Sequence, residues 1–411
     1  MNMQSSFPPV AVMSERRVAL IGGLMAAIGP ISMSLFTPAM PEIVHAFGTT
    51  QAAVKMTLSL YFGGFAFAQL VCGPLSDAFG RRPVTIAFMA IYLAGSIFAL
   101  LSPTIELLIA ARFLQGVGAA VGVAVSRALV RDLFTHERSA RIMNLIGIIL
   151  AIGPAVSPTL GGFTMELFGW HAIFLLMVFM GCLIVLVTVT GMRETVARDP
   201  SRLRPRQLLR SYGTVLATPY FTLASLTIAG SAGALYVLAS VLPFVMMEKV
   251  GLSPTQFGAG MLIQSGSYLV GSLALRQLIS RFGAFRLVPV GLVCIGVGSL
   301  SLAIGLRLSE PTFLNVMLPV GIYAFGIAYI MPAMSTAAMA PFPRNAGAAS
   351  AMMGFFQMGA GLFGGACTAL VGDPVTAVAT IIPIMGLIAI SSWLAWRSLP
   401  EPTLQMAARR D

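Results

Sequence analysis

Arg112 and Gln115 lie three residues apart in "ARFLQGVGAA", residues 111–120, inside a run that is otherwise nearly free of charge. In a helix that spacing puts both side chains on one face, one turn apart. Counted at about 1.5 Å per residue, Arg112 stands roughly 10 Å below the nearer end of its run. An arginine held that deep in an apolar segment turns inward and serves a site, or snorkels out to the interface. Here the inward role is expected, and it makes Arg112 the nearest fixed charge for an anionic or polar ligand. Arg127 follows about four turns on, beside Arg131 and Asp132. There an interfacial snorkel is the simpler reading.

Two further stretches could do mechanical rather than covalent work. "GPLSDAFGRRPV", residues 73–84, packs an acid and two arginines between two apolar runs. Asp77 ends the first run. A carboxylate beside the N-terminus of another helix gains about 0.3–1 kcal/mol from the helix dipole, so Asp77 can latch two bundles together. Gly73 suits a close helix contact and Gly80 a tight turn. Arg81 and Arg82 can pair with carboxylates or headgroups. The competing reading is a basic loop that only sets topology. "GIILAIGPAVSPTLGG", residues 147–162, removes a side chain at Gly153 and a backbone donor at Pro154. Such a helix bends and can pivot, although a kinked packing helix would carry the same residues.

Composition says what must hold these groups in place. The 411 residues are 57% hydrophobic and 9% charged, with a mean hydropathy of +0.89. Soluble domains carry roughly 25% charged residues, so the chain is expected to be an integral membrane protein. A spanning helix needs about 20 apolar residues. Eleven charge-free runs of that order, with the run from about 106 to 130, give twelve spans. The expected fold is all-α: twelve transmembrane helices in two six-helix halves, residues 18–191 and 216–397. A basic linker, 192–215, joins the halves, and tails cover 1–17 and 398–411. The linker is expected to be a solvated stretch lying on anionic headgroups.

An even span count puts both termini on one side. With that side taken as the cytoplasm, 20 of the 25 basic residues fall inside and three (Lys55, Lys249 and Arg307) outside. The positive-inside rule then sets the orientation. The net charge of +11 becomes a topology signal, and no nucleic-acid partner is needed. "FGRR" at 79–82 and "RFGAFR" at 281–286 mark equivalent loops in the two halves, and "GFFQMGAGLFGG" at 354–365 places a glycine-rich run in the eleventh span. Parallel six-helix halves with nested inverted repeats are a transporter arrangement. Cys72, Cys182, Cys294 and Cys367 are scattered through apolar runs, and His45, His136 and His171 fall at span ends. Neither set has metal or disulfide spacing. No cofactor, metal, cleavable signal or catalytic cluster is expected.

These motifs, in this order, resemble those of the major facilitator superfamily. Residues 73–84 resemble its signature loop, 111–120 its second motif and 147–162 a third that is associated with exporters. "PISMSLFTPAMPEI", residues 30–43, and the following loop are similar to the Bcr/CflA drug-resistance family of drug–proton antiporters. The resemblance covers about residues 18–400. It implies a bacterial inner-membrane efflux protein for small drugs of the amphenicol or bicyclomycin kind, working by alternating access with proton entry as a monomer. An uptake permease or facilitator of the same fold is the alternative, and a membrane-embedded enzyme or sensor finds no support in the motifs.

One departure matters. The family places an aspartate in its first span where this chain has Ser34. With no carboxylate expected at mid-membrane, either an acid at a helix end such as Glu106, Asp77 or Asp132 relays the proton or a different ion is coupled, and neutral or anionic substrates are favoured over cations. Ser34, Gln69, Arg112, Gln115, Gln264 and Gln357 are the expected polar lining of a cavity otherwise apolar and rich in methionine.

Overall fold

The computed structural model describes residues 13–343 and 345–400. Arg344 and most of the two expected tails lie outside them. The described residues are helical, with no strand among them.

Helix α1 (Glu15–Phe36) runs through a tight turn, Thr37–Ala39, into α2 (Met40–Ala46). Pro38 and Pro41 explain that break, because each removes a backbone donor. Next come α3 (Gln51–Phe79), α4 (Arg81–Leu100), α5 (Ile105–Leu133), α6 (His136–Phe168) and α7 (Trp170–Gly191). A linker carries the short helix α8 (Pro205–Leu216). Then α9 (Pro219–Pro243) ends in a wide turn, Phe244–Lys249, and is followed by α10 (Pro254–Phe282), α11 (Ala284–Leu308), α12 (Phe313–Met339), α13 (Ala346–Val371) and α14 (Pro374–Arg397).

Eleven of the described helices are long and apolar enough to cross a membrane, counting α1–α2 as one and α9 with its wide turn as one. The twelfth crossing is α10. It has the length, 29 residues, but Gln264, Ser265, Ser267, Ser272, Arg276 and Gln277 lower its hydropathy. It packs between α12 and α6, with Gln264, Ser265, Ser267 and Ser272 half-buried and Arg276 and Gln277 exposed near its basic end. The all-α fold of twelve crossings stands as expected.

Buried apolar side chains gather in two large clusters and a small third one of Leu275, Leu287, Ala328 and Tyr329. Of the large ones, one draws on Met13 to Met192 together with Ala239 and Phe244; the other runs from Tyr212 to Trp393. Within the first, α1 and α5 touch at Gly122, where a Cβ would stand 1.8 Å from the Met25 carbonyl oxygen. Small residues at such crossings let helices pack without any hydrophobic drive from lipid. Large apolar side chains such as Phe168, Leu308 and Leu370 remain exposed, as a hydrocarbon-facing surface requires.

The helices alternate in direction, so the bundle has two ends. The turn at Gly80, the linker and Arg397 share the basic end. The turns at Gly169 and Gly372 share the opposite end.

Candidate functional site

At the basic end the Gly80 turn needs a positive φ of 100°, which glycine adopts without strain. It points Arg81 back under α3. Arg81 is 3% exposed and pairs with both Asp77 and Asp132, the latter at 3.1 Å. Its Nη1 also donates to Ser76 Oγ at 2.6 Å. Thr195 Oγ1 donates to Asp132 at 3.1 Å. Arg82 reaches the Val189 carbonyl at 2.8 Å. Arg81 thus satisfies the two acids nearest it, and neither Asp77 nor Asp132 stands free as a proton relay in this conformation. Glu106 lies in the first turn of α5 at the opposite end, exposed.

The linker is docked, in contrast to the solvated stretch expected. Glu194 accepts from the backbone N–H groups of Arg81 at 2.8 Å and Arg82 at 3.1 Å, at the start of α4. The Asp199 N–H donates to Ala78 O at 2.8 Å, and Arg198 lies over the Phe79 ring. Tyr212 of α8 donates to Leu70 O. Burial, with Cys72 adding to it, pushes the Tyr212 phenol up to about 12, so it stays a donor. Glu194 does for α4 what a capping side chain does. Glu194→Ala is expected to destabilise the protein by about 0.5–2 kcal/mol, read as a lower melting temperature in detergent. An unchanged melt would mean that water replaces the cap.

Inside the first half lies a dry polar cluster. Arg112 and Gln115 are both fully buried. Arg112 Nη1 donates to Gln115 Oε1 at 2.6 Å, and Gln115 Nε2 donates to Ser96 Oγ at 2.7 Å. The guanidinium is centred 4.4 Å from the rings of both Phe36 and Tyr61. Its Nε and Nη2 have no partner. The Tyr61 hydroxyl donates to Gly29 O at 2.9 Å, and Ser32 and Tyr92 share a 2.6 Å hydrogen bond. Ser34 is nearly buried, and its carbonyl takes the Thr37 hydroxyl at 2.9 Å.

Two seams join the halves, α3 against α13 and α6 against α10. Both are tight at the opposite end. A Cβ on Gly258 would stand 2.3 Å from Pro158 O, and one on Gly162 would stand 2.1 Å from Pro254 O. Thr159 Oγ1 donates to Gly258 O at 3.0 Å. At the basic end α3 parts from α13 around a cavity of about 650 Å³. Gln69, Gly73, Asp77, Arg127 and Arg131 line one wall and Asn345, Gly347 and Ser350 another. Arg127 Nη1 donates across the gap to Ser350 at 2.9 Å, so it reaches the partner half instead of snorkelling to lipid.

This geometry corrects two expectations. Gly73 was expected at a close helix contact, yet a Cβ there would meet nothing within 4 Å, because the seam is open at that level. Gly153 was expected at a pivot between halves. It packs on Ile31 of α1 in its own half, and the contact between halves falls about one and a half to two and a half turns on, at Pro158 and Gly162. Pro154 stays within α6. Asp77 and the first turn of α13 face the same cavity, with Asp77 paired to Arg81.

The six residues expected to line a substrate cavity are not brought together. Gln69 lines the basic-end cavity. Ser34, Arg112 and Gln115 belong to the packed first half. Gln357 donates to the Tyr236 hydroxyl at 3.3 Å, and Gln264 Oε1 is buried without a partner. Sequence reasoning missed Lys55, which it placed among outside loops. Lys55 is fully buried in α3, where its ammonium donates to Thr368 O at 3.4 Å and Gly372 O at 3.3 Å. Lys55 stands one turn into α3, just before a charge-free run, and that position carries no signal of burial.

A model of the Major Facilitator Superfamily matches residues 22–365. An uncharacterized MFS-type transporter, YdgK of Bacillus subtilis, is 30% identical over 398 residues, covering 93% of this chain and 95% of the relative. Multidrug resistance protein D of Escherichia coli is 25% identical, with 90% and 93% covered. A chloramphenicol resistance protein of Pseudomonas aeruginosa is 28% identical, with 85% and 81% covered. Among solved structures, the inward-open xylose transporter XylE of E. coli superposes with a TM-score of 0.74 at 13% identity, covering 95% of this chain and 98% of that one. At that identity the likeness concerns the fold alone.

Proposed function

Because the chain belongs to the Major Facilitator Superfamily, a family of membrane transporters, we propose that it is a multidrug exporter of the Bcr/CflA kind in the bacterial inner membrane. It takes small amphipathic drugs, amphenicol- or bicyclomycin-like, from the cytoplasm or inner leaflet and releases them outward by alternating access. The observation that carries this reading is the asymmetry of the two seams. They are closed at the opposite end, while a cavity of about 650 Å³ opens at the basic end, the end that the positive-inside rule assigns to the cytoplasm. The drug- and chloramphenicol-resistance names of two relatives support the substrate class.

Residues 18–191 and 216–397 act as the two rocking halves, with both termini cytoplasmic, and one chain suffices for transport. Proton entry drives the cycle. With Ser34 in place of a carboxylate, the proton has to pass through acids at the basic end, where Asp77 and Asp132 share Arg81. Neutral and anionic substrates fit best, because Arg127 and Arg131 face the cavity and Asp77 is already paired.

Inverted membrane vesicles carrying the protein are expected to accumulate chloramphenicol when the lumen is made acidic, and to lose it on addition of an uncoupler. Transport that runs only out of such vesicles, or that ignores the pH gradient, would overturn export or proton coupling respectively.

A further inference from the structure

Among the described residues, Lys55 is the one buried cation at the outer seam that the reading above leaves without a task. Its ammonium is fully enclosed. Both carbonyls that it reaches, Thr368 O and Gly372 O, belong to the other half of the protein, at the C-terminal end of α13. The last carbonyls of a helix lack intrahelical partners and form the negative pole of its dipole. The Phe244 ring covers the ammonium at 5.5 Å. The carboxylates of Asp373 and Glu248 act on it at longer range.

Asp373 already caps α14 through the Thr376 N–H at 2.8 Å. Desolvation opposes its charge, but the Thr376 hydrogen bonds and the nearby Lys249 and Lys55 outweigh that and hold its carboxyl below the usual carboxylate range. Glu248 accepts from Gln51 at 2.5 Å. The direct partners of Lys55 are therefore the end of α13, and they exist only while α3 and α13 stay together.

Asp77 stands 22 residues further along α3, about 33 Å away at 1.5 Å per residue, and shares the basic-end cavity with the first turn of α13. One helix thus carries opposite charges near its two ends, each facing the matching pole of a single partner helix. We infer, resting on the alternating-access reading, that Lys55 is a positioning residue of the transport cycle: it locks the outer seam by capping the C-terminal end of α13, and releases when that seam opens. In the open state water replaces the two carbonyls, so the lysine is satisfied in both states and unsatisfied between them. Closing one end of the α3–α13 seam parts the other, so the lock at Lys55 and the contact of Asp77 with α13 exclude each other.

The test uses the full chain with its four native cysteines replaced and spin labels at Ala46 and Leu370 on the outer side, or Thr135 and Ser280 on the inner side. Lys55→Met is expected to raise the ratio of long to short outer distances about tenfold, the size of effect a charged hydrogen bond supplies, while the inner pair moves closer. Lys55→Arg, which keeps the charge, restores the native distribution. Lys55→Gln, a neutral donor, falls between and serves if the methionine variant does not fold. Unchanged distances in the neutral variants, or equal shifts for Arg and Met, would overturn the lock. A native protein whose outer distance never changes, with or without substrate, would overturn alternating access itself and the lock with it; a native protein that switches while Lys55→Met keeps the same populations removes only the lock.

Discussion

Arg112→Met is expected to give a protein that is at least as stable as the native one and transports poorly. The guanidinium sits in a fully buried site with Gln115 as its one oxygen partner and with two nitrogens unsatisfied. Removing a charge from water costs several kcal/mol even after relaxation. Two ring faces at 4.4 Å return about 2 kcal/mol or more each when desolvated. No carboxylate appears among the contacts of Arg112. Replacing a buried charged group by an apolar one of similar volume is often neutral or stabilising by about 1–4 kcal/mol. Methionine is flexible enough to fill the slot between Phe36 and Tyr61, and Met177 is already a neighbour.

A functional role for Arg112 is the default expectation for an ionisable side chain inside a membrane bundle, and the expected loss of transport rests on it. Transport by Arg112→Met should fall by roughly 5–150-fold, as a lost coupling free energy of about 1–3 kcal/mol would produce. The checks are the melting temperature in detergent and proton-driven drug uptake in inverted vesicles. A lower melting temperature with normal uptake would make Arg112 a packing residue. Arg112→Ala is the less informative change, because it also leaves a cavity, whereas either change leaves Gln115 Oε1 without its donor.

How legible this was from the sequence depends on how far apart the partners lie in the chain. The Arg112–Gln115 hydrogen bond follows from i, i+3 spacing alone, and the structure shows it. The Gly80 turn follows from a glycine placed between two helices, and its φ of 100° bears that out. Lys55 could not be read the same way. It stands four residues after a polar turn, where a lysine ordinarily reaches water, and its burial comes from carbonyls 313 and 317 residues away. Glu194 was hidden for a similar reason. It lies in a basic linker, and its partners are backbone N–H groups 112 and 113 residues earlier, which carry no side-chain signature. The glutamines are spread over different surroundings, Gln69 alone of the four at the basic-end cavity, because helical periodicity says which residues share a face and not which helix covers that face. Gly73 and Gly153 show a further limit. A glycine in a motif shows that a side chain is absent and not which neighbour, if any, comes close: Gly153 meets Ile31 of its own half and Gly73 meets nothing within 4 Å.

Dependence on conformation separates substitutions at two glycines that both pack on backbone. A Cβ at Gly122 would stand 1.8 Å from Met25 O and 2.6 Å from its carbonyl carbon. Both helices belong to one half and stay packed in every state, so Gly122→Ala should destabilise the fold by about 1–3 kcal/mol, as overpacking does. At Gly258 the clash is with Pro158 O at 2.3 Å and Thr159 Cα at 2.7 Å, again backbone that cannot rotate aside. Here the two helices lie in different halves, and the protein can relieve the clash by parting the outer seam. Gly258→Leu should therefore melt within about 1 kcal/mol of the native protein, abolish transport and hold the outer side open. Ser59 is fully buried beside Gly365 at the other seam, and Ser59→Cys reports that opening. With the four native cysteines replaced, a membrane-impermeant thiol reagent is expected to label it from outside much faster in the Gly258→Leu background than in the native one. If Gly258→Leu instead lowers the melting temperature as Gly122→Ala does and leaves Ser59→Cys protected, the two halves do not separate along this seam and the rocking motion must hinge elsewhere.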